Sequence, residues 1–184
     1  RQYDEMRMGF GKIILAILNF ICKVYLTVIR GTPVVVQILI IYFIVFQSSN
    51  AQIPIAALAF GINSGAYVAE IFRSGIMSID IGQNEAGRSL GFNYAQTMIY
   101  IIVPQAFKNV IPTLGNEFIV LLKETAVCGY IGLTDLTRAG DSVRAATYNP
   151  YFPLIFIAVI YLVMVMFFTW LLGKLERRLR NAER

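Results

Sequence analysis

Residues 151 to 173 read YFPLIFIAVIYLVMVMFFTWLLG, an uncharged run of 23 residues. At ~1.5 Å per residue such a run makes a helix of about 34 Å, enough to cross a hydrocarbon core of roughly 30 Å. Tyr148, Tyr151 and Phe152 stand at one end and Trp170 at the other, the placing expected of an aromatic belt. Lys174, Arg177, Arg178 and Arg180 follow at once. The run is a transmembrane helix.

The rest of the chain agrees. Of its 184 residues 57% are hydrophobic and only 15% charged, well below the charged quarter of a soluble domain. Mean hydropathy is +0.64. Without histidine there is no imidazole metal site, Ser-His-Asp chemistry or histidine relay. Cys22 and Cys128 are too few for a disulfide framework or a zinc knuckle. The net charge of +5 marks cytoplasmic loops better than it marks a nucleic-acid partner. A soluble enzyme is excluded on composition, and the expected fold is an all-α, polytopic helical bundle in one transmembrane domain.

Three more apolar stretches supply the other spans. Pro33 to Phe46 is short alone, so the apolar stretch Ile13 to Ile29, interrupted by Lys23, is expected to run into it as an interfacial helix, giving one unit over 13–46. Arg30-Gly31-Thr32-Pro33 would be the joint. The span over 53–76 repeats small residues at Ala57, Gly61, Gly65 and Ala69, a face on which helices can approach closely. Asn63, Ser64 and Glu70 in that span would be costly against lipid, which puts the helix inside a bundle. The region 94–122 carries Pro104, Pro112, Lys108 and Glu117; a helix so interrupted needs protein or water around it.

Lysine and arginine crowd residues 1–30 and 174–184, whereas Lys123, Arg138 and Arg144 are balanced by Glu124, Asp135 and Asp141. The positive-inside rule therefore puts both termini and the 77–93 loop in the cytoplasm and 123–150 outside. Four spans satisfy that parity.

The 77–93 loop holds the most specific string. Glu85-Ala86-Gly87, three residues, Gly91, nine residues, then Ile101-Ile102-Val103-Pro104 follow the pattern EAA-x3-G-x9-I-x-L-P, with Gly87 for alanine and Val103 for leucine. Arg30-Gly-Thr-Pro-Val-Val-Val-Gln37, Ala66-Tyr67-Val-Ala-Glu70-Ile-Phe-Arg73 and Gly115-Asn116-Glu117-Phe-Ile-Val-Leu-Leu-Lys123-Glu-Thr125 accompany it. Together they resemble the permease subunits of ATP-binding-cassette importers for polar amino acids, of the histidine, glutamine and arginine type. The resemblance runs from about residue 20 to the C-terminus. That family usually has five spans, so the first would lie before Arg1.

The resemblance implies a non-catalytic subunit. It would form the translocation pathway in a bacterial plasma (inner) membrane, beside a second permease that makes a homo- or heterodimer. Two cytoplasmic ATP-binding subunits would bind the ATP and magnesium, and an extracytoplasmic solute-binding protein would deliver the amino acid. Asp80, Gly82, Glu85, Ala86, Gly87 and Gly91 would form and close a coupling helix docked on the ATPase. Gly87 in place of alanine costs that helix up to ~1 kcal/mol of propensity. The chain has no P-loop of its own, since Gly9-Phe-Gly11-Lys12-Ile13 lacks the upstream glycine and the Ser/Thr, and no metal site is expected.

Asn63, Ser64, Tyr67, Asn116 and Glu117 are the candidates for the substrate path, each equally able to serve as bundle glue. Glu70 and Arg73, at i, i+3, are expected to pair with each other. An ion-driven secondary transporter is the competing reading. It predicts an inverted repeat, and none is visible.

Overall fold

The computed structural model describes residues 10–181, and side chains over 11–178. Arg1 and Arg7, and side chains from 179 onward, lie outside the described residues. No strand occurs among them. Helix α1 spans Phe10–Gly31, α2 Val34–Ile40, α3 Gln52–Met77, α4 Ile81–Ser89, α5 Tyr94–Thr97, α6 Val103–Glu124, α7 Leu136–Thr147 and α8 Tyr151–Asn181. Gly11–Gly31, Gln52–Met77 and Tyr151–Arg178 are long and apolar enough to cross a membrane. Helix α6, with Lys108, Asn109, Asn116 and Glu117 along it, is not in that group.

The first expected unit divides differently from the sequence reading. The joint falls where Arg30–Pro33 put it, with α1 ending at Gly31 and Pro33 preceding α2 in an extended conformation. The long member is the stretch before the joint. The expected span over 33–46 is a short α2 continued by a π-helical turn, Ile41–Val45. Lys23 does not interrupt α1, because a single long lysine keeps its stem on an apolar helix while its ammonium reaches outward.

A buried amide pair holds this joint. The Gln37 side chain donates to the carbonyl of Ile29 at 2.7 Å, the carbonyl of Thr32 at 3.1 Å and the Thr32 hydroxyl at 2.7 Å. Its own Oε1 accepts from Asn63 Nδ2 at 2.9 Å, and Asn63 is only 2% exposed. Carbonyls freed where α1 stops are thereby satisfied without water. Below this node Ile38, Ala56, Ala59, Cys128 and Ile131 form a core that joins α2, α3 and the 3-10 segment Thr125–Ile131.

Helix α3 packs on α6 in antiparallel fashion: Ser64 lies level with Glu117, while Ser78 just past the helix meets Asn109. Its buried side consists of Ile55, Ala56, Ala59, Asn63, Ala66 and Gly75. Ala57, Gly61, Gly65 and Ala69 are exposed in the single chain, away from the side that α3 turns to the core. At ~100° per residue Ile55, Ala56, Ala59, Asn63 and Ala66 fall on the side roughly opposite this set, while Gly75 lies more than a turn past Ala69. Both sets hold small residues, so spacing alone did not tell them apart. On the exposed side Tyr25 reaches over from α1, donating its hydroxyl to the Ile62 carbonyl beside Gly65.

The prolines of the fourth region act locally. The π-helical turn Met98–Ile102 sits just ahead of Pro104, which lies in the first turn of α6, where a missing N–H costs least. Pro112 is inside α6 and removes the donor that the Lys108 carbonyl would meet. Residues 123–150 are ordered as the 3-10 segment and α7, whose N-cap Asp135 accepts from the amides of Thr137 and Arg138.

The Gln37–Asn63 pair yields a stability prediction. Asn63→Leu leaves Gln37 Oε1 buried without a donor and should lower stability by roughly 1–2 kcal/mol. Thermal unfolding of the purified protein in detergent measures this; an unchanged transition would mean that the pair holds nothing.

Candidate functional site

Two places concentrate polar side chains: helix α4 at one end of the bundle, and the level of Ser64 and Glu117 at its middle.

Helix α4 begins because Asp80 caps it, its Oδ1 accepting from the Gly82 amide at 2.6 Å. Gly82 keeps that cap open, since a Cβ there would stand 2.9 Å from the same oxygen. The helix stops at Gly91, whose φ of +82° lies in the left-handed region that favours glycine. Asn93 and Gln96 then form a reciprocal capping box that starts α5. These are the turn and restart that the loop sequence suggested.

The two sides of α4 differ. Its inner side is Gly87, buried against α5 and the π-helical turn that follows. A Cβ at Gly87 would meet Thr97 Cγ2 at 2.6 Å, Thr97 Oγ1 at 2.7 Å and Ile101 Cδ1 at 3.2 Å. The departure from the family's alanine therefore has a structural reason: glycine lets α4 lie directly on a fully buried threonine. Gln105 Nε2 donates to Gln83 Oε1 at 3.1 Å and Asn109 Nδ2 to Ser78 Oγ at 2.9 Å, tying the segment to α6. Ile81, Glu85, Ala86 and Leu90 are exposed. Of these the sequence reading singled out Glu85 and Ala86; it also named Gly87, which is buried, and did not single out Ile81, Leu90, Gln83, Thr97, Gln105 or Asn109. Their signal was faint: polar residues at i, i+4 from Gln105 to Asn109, on the side of the helix that faces the loop.

At the middle of the bundle the five candidates separate. Ser64 Oγ donates to Glu117 Oε1 at a long 3.4 Å, and both are half-buried between α3 and α6. Asn63 belongs to the Gln37 node and faces the core instead. Asn116 is exposed in the single chain, and no hydrogen bond joins it to Glu117 among the described residues. Tyr67 lies under the Arg30 guanidinium, 5.9 Å from ring centre to Cζ. Ser64 is near the midpoint of α3, so Glu117 stands near the middle of the bundle.

The Glu70–Arg73 pair forms as expected, with Arg73 Nε donating to Glu70 Oε2 at 2.9 Å and a second contact between Arg73 Nη2 and Glu70 Oε1. A third member was not anticipated. Arg30, at the end of α1, lies 3.4 Å from Glu70 Oε2 and so ties the joint to α3. Among the described residues no group of histidine, cysteine and carboxylate side chains is arranged to hold a metal.

Long apolar helices, with two of the bundle's long members joined through the short helix α4, define a polytopic helical membrane protein. The chain belongs to the family described as binding-protein-dependent transport system inner membrane component, whose profile matches residues 11–181. It is 41% identical over 186 residues to the arginine transport system permease protein ArtQ of Bacillus subtilis, covering 93% of this chain and 85% of that protein. It is 38% identical to the glutamine transport system permease protein GlnP of Escherichia coli K12, covering 89% of this chain and 77% of that protein. A crystal structure of an amino acid ABC transporter with histidines superposes with a TM-score of 0.79 at 50% identity, over 85% of this chain and 74% of that one. The MetNI methionine ABC transporter in an inward-facing form gives a TM-score of 0.73 at 16% identity, over 95% of this chain and 79% of that one, a likeness of fold. The protein is thus a membrane-spanning permease subunit of an ATP-driven importer.

The Gly87–Thr97 contact is testable by paired substitution. Gly87→Ala should gain helix propensity yet destabilise the protein by roughly 1–3 kcal/mol, because overpacking outweighs a term of at most ~1 kcal/mol. Gly87→Ala with Thr97→Ala should recover most of that loss, since both clashing Thr97 atoms are then gone. A double-mutant cycle on thermal stability reads the coupling, and additive losses would contradict the contact.

Proposed function

We propose that this subunit imports polar amino acids, with α4 as the coupling helix and the Ser64–Glu117 level as part of the passage. The subunit would sit in a bacterial inner membrane with α4 and the C-terminal tail cytoplasmic; α1, which runs parallel to α3 and ends beside Glu70, would start on the opposite side, against the expectation from the positive-inside rule. It would pair with a second permease, take substrate from an extracytoplasmic solute-binding protein and dock on two ATPase subunits. ATP and magnesium would be held by those subunits and not by this chain.

The observation that carries the reading is the two-sidedness of α4. Its inner side is fastened to the α5–α6 arm through Gly87–Thr97 and Gln83–Gln105. Its outer side leaves Ile81, Glu85, Ala86, Arg88, Ser89 and Leu90 uncovered, a mixed surface in which apolar side chains stand beside one carboxylate and one guanidinium. A partner that grips this surface and moves cannot shift α4 without shifting α6, and α6 carries Glu117. Closure of the ATPases on ATP would in this way turn the bundle from inward-facing to outward-facing. Free energy enters as the difference in partner affinity between the two states.

Glu117 suits an amino acid's ammonium group or a cationic side chain. A carboxylate facing lipid would cost at least ~2.5 kcal/mol, so it must face protein, water or substrate. The relatives' names, which specify arginine and glutamine, support a polar amino acid as cargo.

Two substitutions test the two halves of the proposal in the assembled transporter. Glu85→Lys reverses the charge on the exposed side of α4; uptake and substrate-stimulated ATP hydrolysis should fall roughly tenfold, equivalent to ~1.4 kcal/mol of coupling, while thermal stability stays unchanged. Full coupling in that variant would remove Glu85 from the docking surface. Glu117→Gln keeps the shape and deletes the charge, so uptake should fall, or preference shift from cationic toward neutral amino acids, at near-normal expression and basal ATP hydrolysis. Lowered stability with normal transport would make Glu117 a structural residue.

A further inference from the structure

We propose that a groove between α6 and α8 binds one anionic phospholipid. The groove encloses about 480 Å³, within the roughly 300–1,000 Å³ range of small-molecule pockets. Helix α8 supplies Phe168, Leu171, Leu172 and Leu175, which recur at i, i+3, i+4 and i+7 and so form one face. Helix α6 supplies Gly115 and Phe118, and Phe118 meets Phe168 edge to face at 5.2 Å between ring centres. The lining is apolar except at one end, where Lys174 and Arg178 complete it.

Those two cations commit the groove to its occupant. They are i, i+4 on α8, so their side chains emerge from neighbouring turns on one side. They lie just past Gly173, where the uncharged run ends. Lys174 also stacks on Trp170, 4.0 Å from Nζ to the ring centre, and a tryptophan at a span's end marks headgroup depth. No carboxylate lines the groove to neutralise the pair.

An apolar slot at acyl depth with two cations at headgroup depth is complementary to a lipid with a net negative head. A zwitterionic head brings its own cation and gains less. The end of the bundle is right as well. Lys174 and Arg178 belong to the basic tail that follows the uncharged run of α8, which the positive-inside rule puts at the cytoplasmic leaflet, where basic pockets meet anionic lipid. A lipid wedged there would brace α6, beyond Pro112, against α8.

Native mass spectrometry of the purified permease–ATPase complex, after delipidation and addition of equal amounts of phosphatidylglycerol and phosphatidylcholine, tests this. Phosphatidylglycerol should be retained several-fold over phosphatidylcholine. Lys174→Gln and Arg178→Gln should each lower its retention roughly fivefold, while Arg177→Gln, on the same basic tail but outside the groove, should not. Leu171→Trp fills the slot without touching charge and should lower retention too. Both glutamine substitutions are at exposed positions and leave the fold intact. Equal retention of the two lipids, no retained lipid, or an Arg177→Gln effect as large as that of Arg178→Gln would each overturn the site.

Discussion

A polar group within the hydrocarbon layer has no water to fall back on, and this single constraint arranges most of the bundle. The joint between α1 and α2 shows it most plainly. Ending α1 at Gly31 frees carbonyls, and the Gln37 amide turns back to take those of Ile29 and Thr32. That leaves Gln37 Oε1 to be satisfied, which Asn63 does from α3. Three helices are thus fixed around one side chain, and the core of Ile38, Ala56 and Ala59 closes beneath it. The Arg30–Glu70–Arg73 group repeats the arrangement closer to the α4 end, since Glu70 receives one cation from α1 and one from its own helix.

The other half of the molecule is organised around α6. It inherits the direction of α5, carries α4 on one side through Thr97 and Gln105, and packs on α8 through Phe118 and Gly115. The π-helical turn Met98–Ile102 and Pro112 are the irregular points of this arm. The π-helical turn lies within the segment that α4 grips, between Thr97 and Gln105, and Pro112 lies between that segment and Glu117, so bending at Pro112 is cheaper than within an unbroken helix.

How far this was readable in the sequence depended on the scale of the signal. Spans were legible because hydropathy sums over twenty residues, and α3 was placed to within a turn, whereas α8 runs on past 173 to Asn181 through the basic tail. The coupling loop was legible because Asp80, Gly91 and the EAA-like string act over short, fixed spacings. The division of 13–46 was not, since proline and glycine mark a joint but not which side of it is the longer helix. Small-residue spacing on α3 could not choose between opposite sides, because Ala56, Ala59 and Ala66 are as small as Ala57, Gly61 and Gly65. Asn63 and Glu117 looked equivalent as polar residues in apolar spans. Only their partners separate them: a fully engaged amide in one case, a hydroxyl at 3.4 Å in the other.

That difference bears on which contact can give way when the bundle moves. Asn63 is locked by a short hydrogen bond to a residue whose remaining donors are also used, so opening it strands several buried groups at once. Ser64 and Glu117 hold each other through one long contact, whereas toward the α4 end the same two helices are closely fitted, with Val110 against Gly75 and Asn109 hydrogen-bonded to Ser78. Across the α3–α6 boundary the Ser64–Glu117 contact is thus the longer of these two polar ties, while the Gln37–Asn63 pair of the α1–α2–α3 node is short and buried.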